Sequence, residues 1–362
     1  MSVMEVKRNN PSTTRRVESP VPAIGPGQVA LAVDKFALTA NNVTYAIAGD
    51  QMRYWDFFPI DSDDGKRWGR VPVWGFADVQ ESRVKGLEVG ARVYGYFPMA
   101  SYLIVEPAKL SPAGFMDGSQ HRTHLSSVYN HYTLCAADPG YAKDQEDRIM
   151  LFRPLFTTSF LIDDFLADND FFGGRQVIIS SASSKTAMGT AWIMAKNKPD
   201  TRQHIVGLTS AGNKAFVESL GIYDQVVDYD EIESLHNEAP TCYVDIAGSA
   251  SVRSAVHHHF EDQLKYSCAI GASHWSEFAP GGILPGPKPI MFFAPDQVSK
   301  RTIDWGLDGF QMKVAKAWTG YMATIGEWLK IRHVSRDSGL EDAWLDVIAG
   351  KAAPSTGIIV TK

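Results

Sequence analysis

The chain has 362 residues, with 35 Lys and Arg against 41 Asp and Glu for a formal net charge of −6, and 44% of its residues are hydrophobic. Its 30 Gly and 19 Pro lie near average usage, which excludes collagen-like and disordered classes, and the acidic balance without Lys/Arg runs longer than two argues against nucleic acid as a partner. No apolar run approaches the ~20 residues of a membrane span, and Met1–Arg8 lacks the apolar core of a secretory signal, so the expectation is a cytoplasmic protein with a small-molecule substrate.

From residue 20 to 110, short alternating apolar runs separated by turn residues predict a small β-rich barrel: Val29–Val33 after Gly25-Pro26-Gly27, then Val71–Val79, Arg92–Tyr96 and Tyr102–Val105. Residues 111–150 lack a clear period and read as loop and short helix joining two domains. Beyond them the rhythm becomes strand then helix. Gln176–Ser180, His204–Thr209, Gln225–Tyr229, Cys242–Gly248 and Tyr266–Gly271 are strand-like, with helical patterns over Thr186–Lys196, Lys214–Leu220 and Ser251–Phe260 between them. Such alternation predicts an α/β domain with a doubly wound parallel sheet. A helix over Met312–Ile331 and a strand over Gly357–Val360 close the chain, the strand placed to rejoin the first domain. The expected division is 1–150, 151–305 and 306–362.

The informative stretch lies where the first parallel strand hands over to its helix: Ser181, Ala182, Ser183, Ser184, Lys185, Thr186 and Ala187. Dinucleotide-binding folds put small residues here because the backbone turns tightly, approaches a pyrophosphate and lets the helix start face the anion. Ala182, Ser184 and Ala187 hold the G-x-G-x-x-G/A spacing, though none is glycine. A polar turn capped by Ser and Thr is the competing explanation. The second strand ends without the Asp or Glu that would bond an NAD ribose and offers Thr209, Ser210, Asn213 and Lys214 instead, groups suited to a 2′-phosphate, with Tyr229 placed over the adenine end. A solvated helix lysine is the alternative for Lys214. Lys185 opposes the helix dipole unless an anion is bound.

The order of segments resembles the zinc-independent medium-chain dehydrogenase/reductase superfamily, in its quinone-oxidoreductase and enoyl-reductase branch. Gly25–Val29 with Phe36–Asn42 and Gly86–Gly95 resemble its GroES-like domain. Gly207–Ser210, Phe216–Gly221 and Val226–Tyr229 resemble its Rossmann strands and helix, Phe292–Pro295 its sixth strand and Ile348–Ile359 its terminus. Within the superfamily the chain is most similar to a divergent group known as a domain of unknown function. The likeness implies a GroES-like β-rich domain plus a Rossmann domain, NADP(H) held between them, hydride transfer to an enone, quinone or enoyl thioester without metal, and a homodimer paired near the apolar run Ile290–Ala294. Val73–Ala77 stands where zinc-dependent relatives carry a His-Glu pair, and no cysteine precedes Cys135.

The resemblance places Tyr45, with Asn42 as competitor, where a group would polarise the substrate carbonyl. Tyr129, Tyr132 and Trp275 are expected to line the substrate, and Gly271 and His274, after the fifth strand, to flank the nicotinamide. His257, His258 and His259 are no metal site, since consecutive helix positions point about 100° apart; a partly exposed helix face is expected. Asp163 and Asp164, with Asp61, Asp63 and Asp64, are expected to be solvated or loop carboxylates. Trp55, Phe57, Phe58, Trp68 and Trp74 form either core or an aromatic cap over an apolar substrate. A non-catalytic NADP(H)-binding sensor of the same fold is the second reading, and a protein without cofactor the third.

Overall fold

The chain begins with a hairpin, strands β1 (Ser2–Lys7) and β2 (Asn10–Glu18), paired antiparallel. A computed structural model describes residues 1–201, 203–270, 284–326 and 328–362, the side chains of 198–201 excepted. Contacts divide the chain into one unit of Met1–Leu151 with Trp328–Lys362 and a second of Phe152–Glu327.

In the first unit, β3 (Val29–Leu38) follows the Gly25-Pro26-Gly27 turn, where Gly27 has φ 78°, a conformation that only glycine adopts without strain. Helix α1 (Ala40–Ile47), strands β4 (Trp68–Gly69), β5 (Pro72–Ser82), β6 (Arg92–Pro98) and β7 (Tyr102–Val105) come next. Residues 111–150, expected to be loop and helix, also carry pairing: β8 (Pro107–Ser111), β9 (Gly114–Asp117) and β10 (His131–Leu134) precede helix α2 (Glu146–Asp168). These strands are too short to show a period; their register comes from partners distant in sequence, such as Thr133 opposite Tyr94.

The second unit alternates β11 (Gln176–Ile179), α3 (Lys185–Thr201), β12 (His204–Thr209), α4 (Ala211–Ser219), β13 (Gln225–Asp228), β14 (Thr241–Asp245), α5 (Ala250–Phe260), β15 (Leu264–Ala269), β16 (Ile290–Met291) and α6 (Ala294–Ile325). Its six strands lie in the order β13-β12-β11-β14-β15-β16, all parallel. Both sheet faces are covered, so the strands alternate between two cores. Val177 and Ile179 pack with Leu161, Ala187, Ala191 and Met194 on one side; Ile178 packs with Val206, Val256 and Phe260 on the other.

Strand β17 (Lys330–Ser335), helix α7 (Leu340–Ile348) and strand β18 (Thr356–Thr361) belong to the first unit, where β18 lies antiparallel to β3 and parallel to β17. Three expectations change here. The segment 306–362 is divided, because α6 runs to Ile325 and packs through Tyr321 on Trp192 of α3, ring centroids 5.3 Å apart. Ile331 lies in β17, not in a helix, opposite Gly357 of β18. Phe292–Pro295, likened to a sixth strand, leads instead from β16 into α6, whose Pro295 fits the first helical turn.

Candidate functional site

Ser180 ends the run begun by β11, and its buried hydroxyl ties the turn to the next strand: it donates to Asp245 Oδ1 (3.1 Å) and accepts from the Ile246 and Ala247 amides (3.0 Å each). Asp245 also accepts from Gly248 N (2.9 Å) and from Arg253 Nε (2.8 Å). Sequence reasoning misses these residues; an Asp at a strand end followed three positions later by Gly248, at φ 64°, is the available signal.

Past Ser180 the chain reverses through Ser181, which holds the left-handed φ of 54°. The Ser181 amide donates to the Tyr229 hydroxyl at 3.0 Å, and the Ala182 amide to Leu208 O at 2.9 Å. Ala182 stands where related turns carry glycine, and its methyl is fully buried. Room for it comes from Gly207 across the sheet: a Cβ on Gly207 would lie 2.9 Å from Ala182 Cβ and 2.9 Å from Tyr223 Cδ1. The Tyr223 hydroxyl donates to Ala182 O at 3.0 Å. Gly207 and Tyr223 are thus part of the turn although distant from it in sequence.

Ser184 caps α3, its carbonyl accepting from Met188 N (2.9 Å) and its hydroxyl from Ala187 N (3.3 Å). Lys185, the first helical residue, is half-buried, with Nζ 5.7 Å from the centre of the Phe152 ring. Desolvation lowers its ammonium to about 8, the direction expected of a cation short of water and which a neighbouring anion opposes. Thr186 O accepts from the hydroxyls of Ser159 (2.8 Å) and Thr190 (3.0 Å). Ala187 is buried against the sheet.

At the end of β12, Thr209 is buried and Ser210 is the exposed N-cap of α4. Asn213 Nδ2 donates to Ser183 Oγ at 3.3 Å, joining the second strand's loop to the turn. Ser181, Ser183, Asn213 and Tyr229 are thereby brought together. Lys214 is drawn off to Glu231, Nζ to Oε2 2.7 Å, in an exposed pair. Gly271, His274 and Trp275 lie outside the described residues.

In the first unit Tyr45 is buried, its hydroxyl receiving Asn41 Nδ2 at 2.6 Å and Trp74 Nε1 at 3.4 Å. Burial, with Tyr129 nearby, holds its phenol far above the usual value, so it stays protonated. Tyr54, Tyr96, Tyr129 and Trp74 surround it, with Tyr45–Tyr54 and Tyr96–Tyr129 ring centroids at 4.5 and 4.8 Å. Tyr129 is half-buried and reaches the Tyr54 hydroxyl at 3.4 Å.

Several expected roles do not survive. Asn42 is buried and its amide is spent on structure: Oδ1 accepts from Thr39 N (2.7 Å) and Nδ2 donates to Pro72 O (2.9 Å), so it caps α1 and offers no free group for polarising a carbonyl. Tyr132 is a core residue whose hydroxyl donates to Tyr96 O at 2.7 Å. Of the two readings of the aromatic group, Trp55, Phe57 and Phe58 take the first, core. His257 is fully buried between Ser267 Oγ (3.0 Å) and Pro285 O (2.8 Å), while His258 is exposed. Among the described residues no group of three His, Cys, Asp or Glu is placed to hold a metal ion. Asp163 is buried, accepting from Asn197 Nδ2 at 3.1 Å, and Asp164 pairs with Arg301. No helix among the described residues is long and apolar enough to cross a membrane.

The family model described as "Protein of unknown function (DUF2855)" matches residues 36–353. The chain belongs to this family. No curated protein sequence matches it. Among solved structures, it is similar to CurA from Vibrio vulnificus in complex with NADPH, at TM-score 0.63 and 14% identity over 100% of this chain and 99% of the other. It is also similar to the quinone oxidoreductase from Coxiella burnetii, at TM-score 0.56 and 12% identity over 100% and 99%. Mycobacterial Rv1454c complexed with NADPH matches at TM-score 0.56 and 13% identity over 100% of both chains. This DUF2855 chain therefore has the α/β fold of medium-chain quinone oxidoreductases and enoyl reductases, with an antiparallel β-rich unit and a six-stranded parallel sheet.

Proposed function

We propose that this DUF2855 protein is an NADP(H)-dependent reductase acting, without metal, on an activated double bond or carbonyl of the enone, quinone or enoyl-thioester class. The carrying observation is the turn between β11 and α3. The Ser181 amide is held by a neutral phenol that an anion can displace, and the hydroxyls of Ser183 and Ser184 stand with the Lys185 ammonium at the head of a helix. This donor set fits a pyrophosphate. The end of β12 carries Ser210, Asn213 and Lys214 without an acidic residue, which suits a phosphorylated ribose.

When bound, NADPH supplies the hydride. The chain's own part is to hold the nucleotide and to steady charge on the substrate. Tyr45 suits the second role as a neutral phenol: its oxygen takes Asn41 Nδ2 and Trp74 Nε1, and its hydroxyl also interacts with Tyr96 and Tyr129, a partner it would exchange for a carbonyl on which negative charge develops. The glycine-poor turn favours a second reading, a non-catalytic NADP(H) binder, since a sensor tolerates a less exact cofactor pose.

Calorimetric titration with NADPH and NADH tests both. NADPH is expected to bind the tighter, with Lys185→Ala and Lys214→Ala each weakening it by about fivefold or more, the scale of one charge-assisted contact. NADPH consumption against enones, quinones and enoyl thioesters then separates enzyme from binder. Absence of binding by either nucleotide removes both.

A further inference from the structure

After β13 the chain makes a short 3-10 turn, Tyr229–Ser234, that meets the proposed nucleotide site twice. Its first residue sets the Tyr229 hydroxyl on the Ser181 amide at 3.0 Å. Two positions on, Glu231 takes the Lys214 ammonium, Nζ to Oε2 2.7 Å. The backbone of the turn is fixed: Asp228 Oδ1 accepts from Asp230 N at 3.1 Å, Ile232 is buried, and Ser234 Oγ donates to Glu231 O at 2.7 Å. The Glu231 side chain, 55% exposed, is held by no such packing and can swing away from the helix.

Lys214 has a carboxylate within its own helix, Glu218 one turn on, yet it bonds Glu231 across the loop. That bond holds the ammonium above its ordinary value, with Glu218 and Asp228 attracting it less, and holds the Glu231 carboxyl below its own. Beside the pair the head of α4 is open. Ser210 makes no cap bond with its hydroxyl, and no described atom lies within 4 Å of a Cβ built on Gly212. A phosphoryl group arriving here competes with Glu231 for one ammonium, and once the ammonium turns to it the two anions face each other. A ribose with a free 2′-hydroxyl encounters neither effect. We propose that Glu231 is a specificity-determining residue of this site: by holding Lys214 it opposes a 2′-phosphate and sets how far NADPH is preferred over NADH. The inference rests on the nucleotide reading given above.

The test is calorimetric titration of NADPH and NADH into the full-length parent, Glu231→Gln, Glu218→Gln, Lys214→Ala and the Lys214→Ala/Glu231→Gln double variant. Glu231→Gln is expected to tighten NADPH about threefold or more, the scale of one exposed ion pair, and to leave NADH within about twofold. Glu218→Gln removes the same charge near Lys214 without breaking the bond, and is expected to move NADPH by less than about twofold. With Lys214→Ala in place there is no ammonium to contest, so adding Glu231→Gln is expected to gain less than about twofold. Equal changes for NADPH and NADH in Glu231→Gln, or a Glu218→Gln variant that matches it, overturns the proposal and leaves the nucleotide reading standing. Binding of neither nucleotide by the parent removes that reading and the proposal with it.

Discussion

Gly207 makes the room in which the turn between β11 and α3, the proposed nucleotide site, is built. Replacing it with alanine puts a methyl 2.9 Å from both Ala182 Cβ and Tyr223 Cδ1, closer than carbon atoms pack. Neither neighbour yields freely. Ala182 is fully buried and its amide is bonded to Leu208 O, while the Tyr223 ring is tethered through its hydroxyl to Ala182 O at 3.0 Å. Overpacking of this kind costs about 1–3 kcal/mol, so Gly207→Ala should lower the melting temperature by roughly 3–10 °C. Because the displaced atoms are the turn itself, NADPH affinity should fall in the same variant. Ala182→Gly alone should cost about 0.5–1 kcal/mol, mostly backbone entropy. In the double variant one of the two clashes is gone and the Tyr223 clash remains, so about half the loss should return, a coupling of about 0.5–1.5 kcal/mol. Melting curves and NADPH titrations on the four proteins complete the cycle. A Gly207→Ala protein melting within about 1 °C of the parent, or strictly additive single effects, refutes the packing argument.

Tyr229→Phe removes the acceptor of the Ser181 amide, which should cost about 1 kcal/mol in the free protein yet tighten NADPH about fivefold, because the anion no longer displaces a phenol; titration calorimetry decides the sign. Asp163 has its carboxyl raised by burial from 3.8 to about 7, and a raised native value means stability that is present at low pH and lost as pH rises through about 7. Asp163→Asn should therefore be the more stable protein above that pH, with a flatter melting profile across the window, and parallel profiles count against it. Asn42→Ala, which removes a cap and leaves Thr39 N and Pro72 O unpaired, should lose about 1–2 kcal/mol in urea denaturation while leaving the proposed NADPH-consuming activity of the folded protein unchanged, since both ends of its amide are spent on structure.

Much of the architecture is visible in local pattern. The parallel strands over 176–179, 204–209 and 225–228 show as apolar runs because both sheet faces bury side chains, and the turn after Ser180 stands out by its place between strand and helix. Strand β7 at Tyr102–Val105 is equally plain. By contrast α6 is two helical segments that meet at Gly306, whose φ of 72° and ψ of 160° are not helical, and only the second segment shows a helical period in the sequence. Strands β8 to β10 are of four or five residues and mean little without their partners.

At the candidate site the division follows the same physics. The sequence alone determined which residue types gather at the strand ends: hydroxyls and lysines at 183–186 and 209–214, without a carboxylate among them. Only the tertiary structure decided what each of them does. It turned Lys214 onto Glu231, set the Tyr229 hydroxyl on the Ser181 amide, and spent Asn42 on a helix cap. It also let Ala182 take a glycine's place by putting Gly207 opposite. Polar type and spacing are properties of the chain, whereas the partner that satisfies a donor, or the gap that admits a methyl, comes from segments 17 to 48 positions away, brought alongside by sheet pairing that no local window contains.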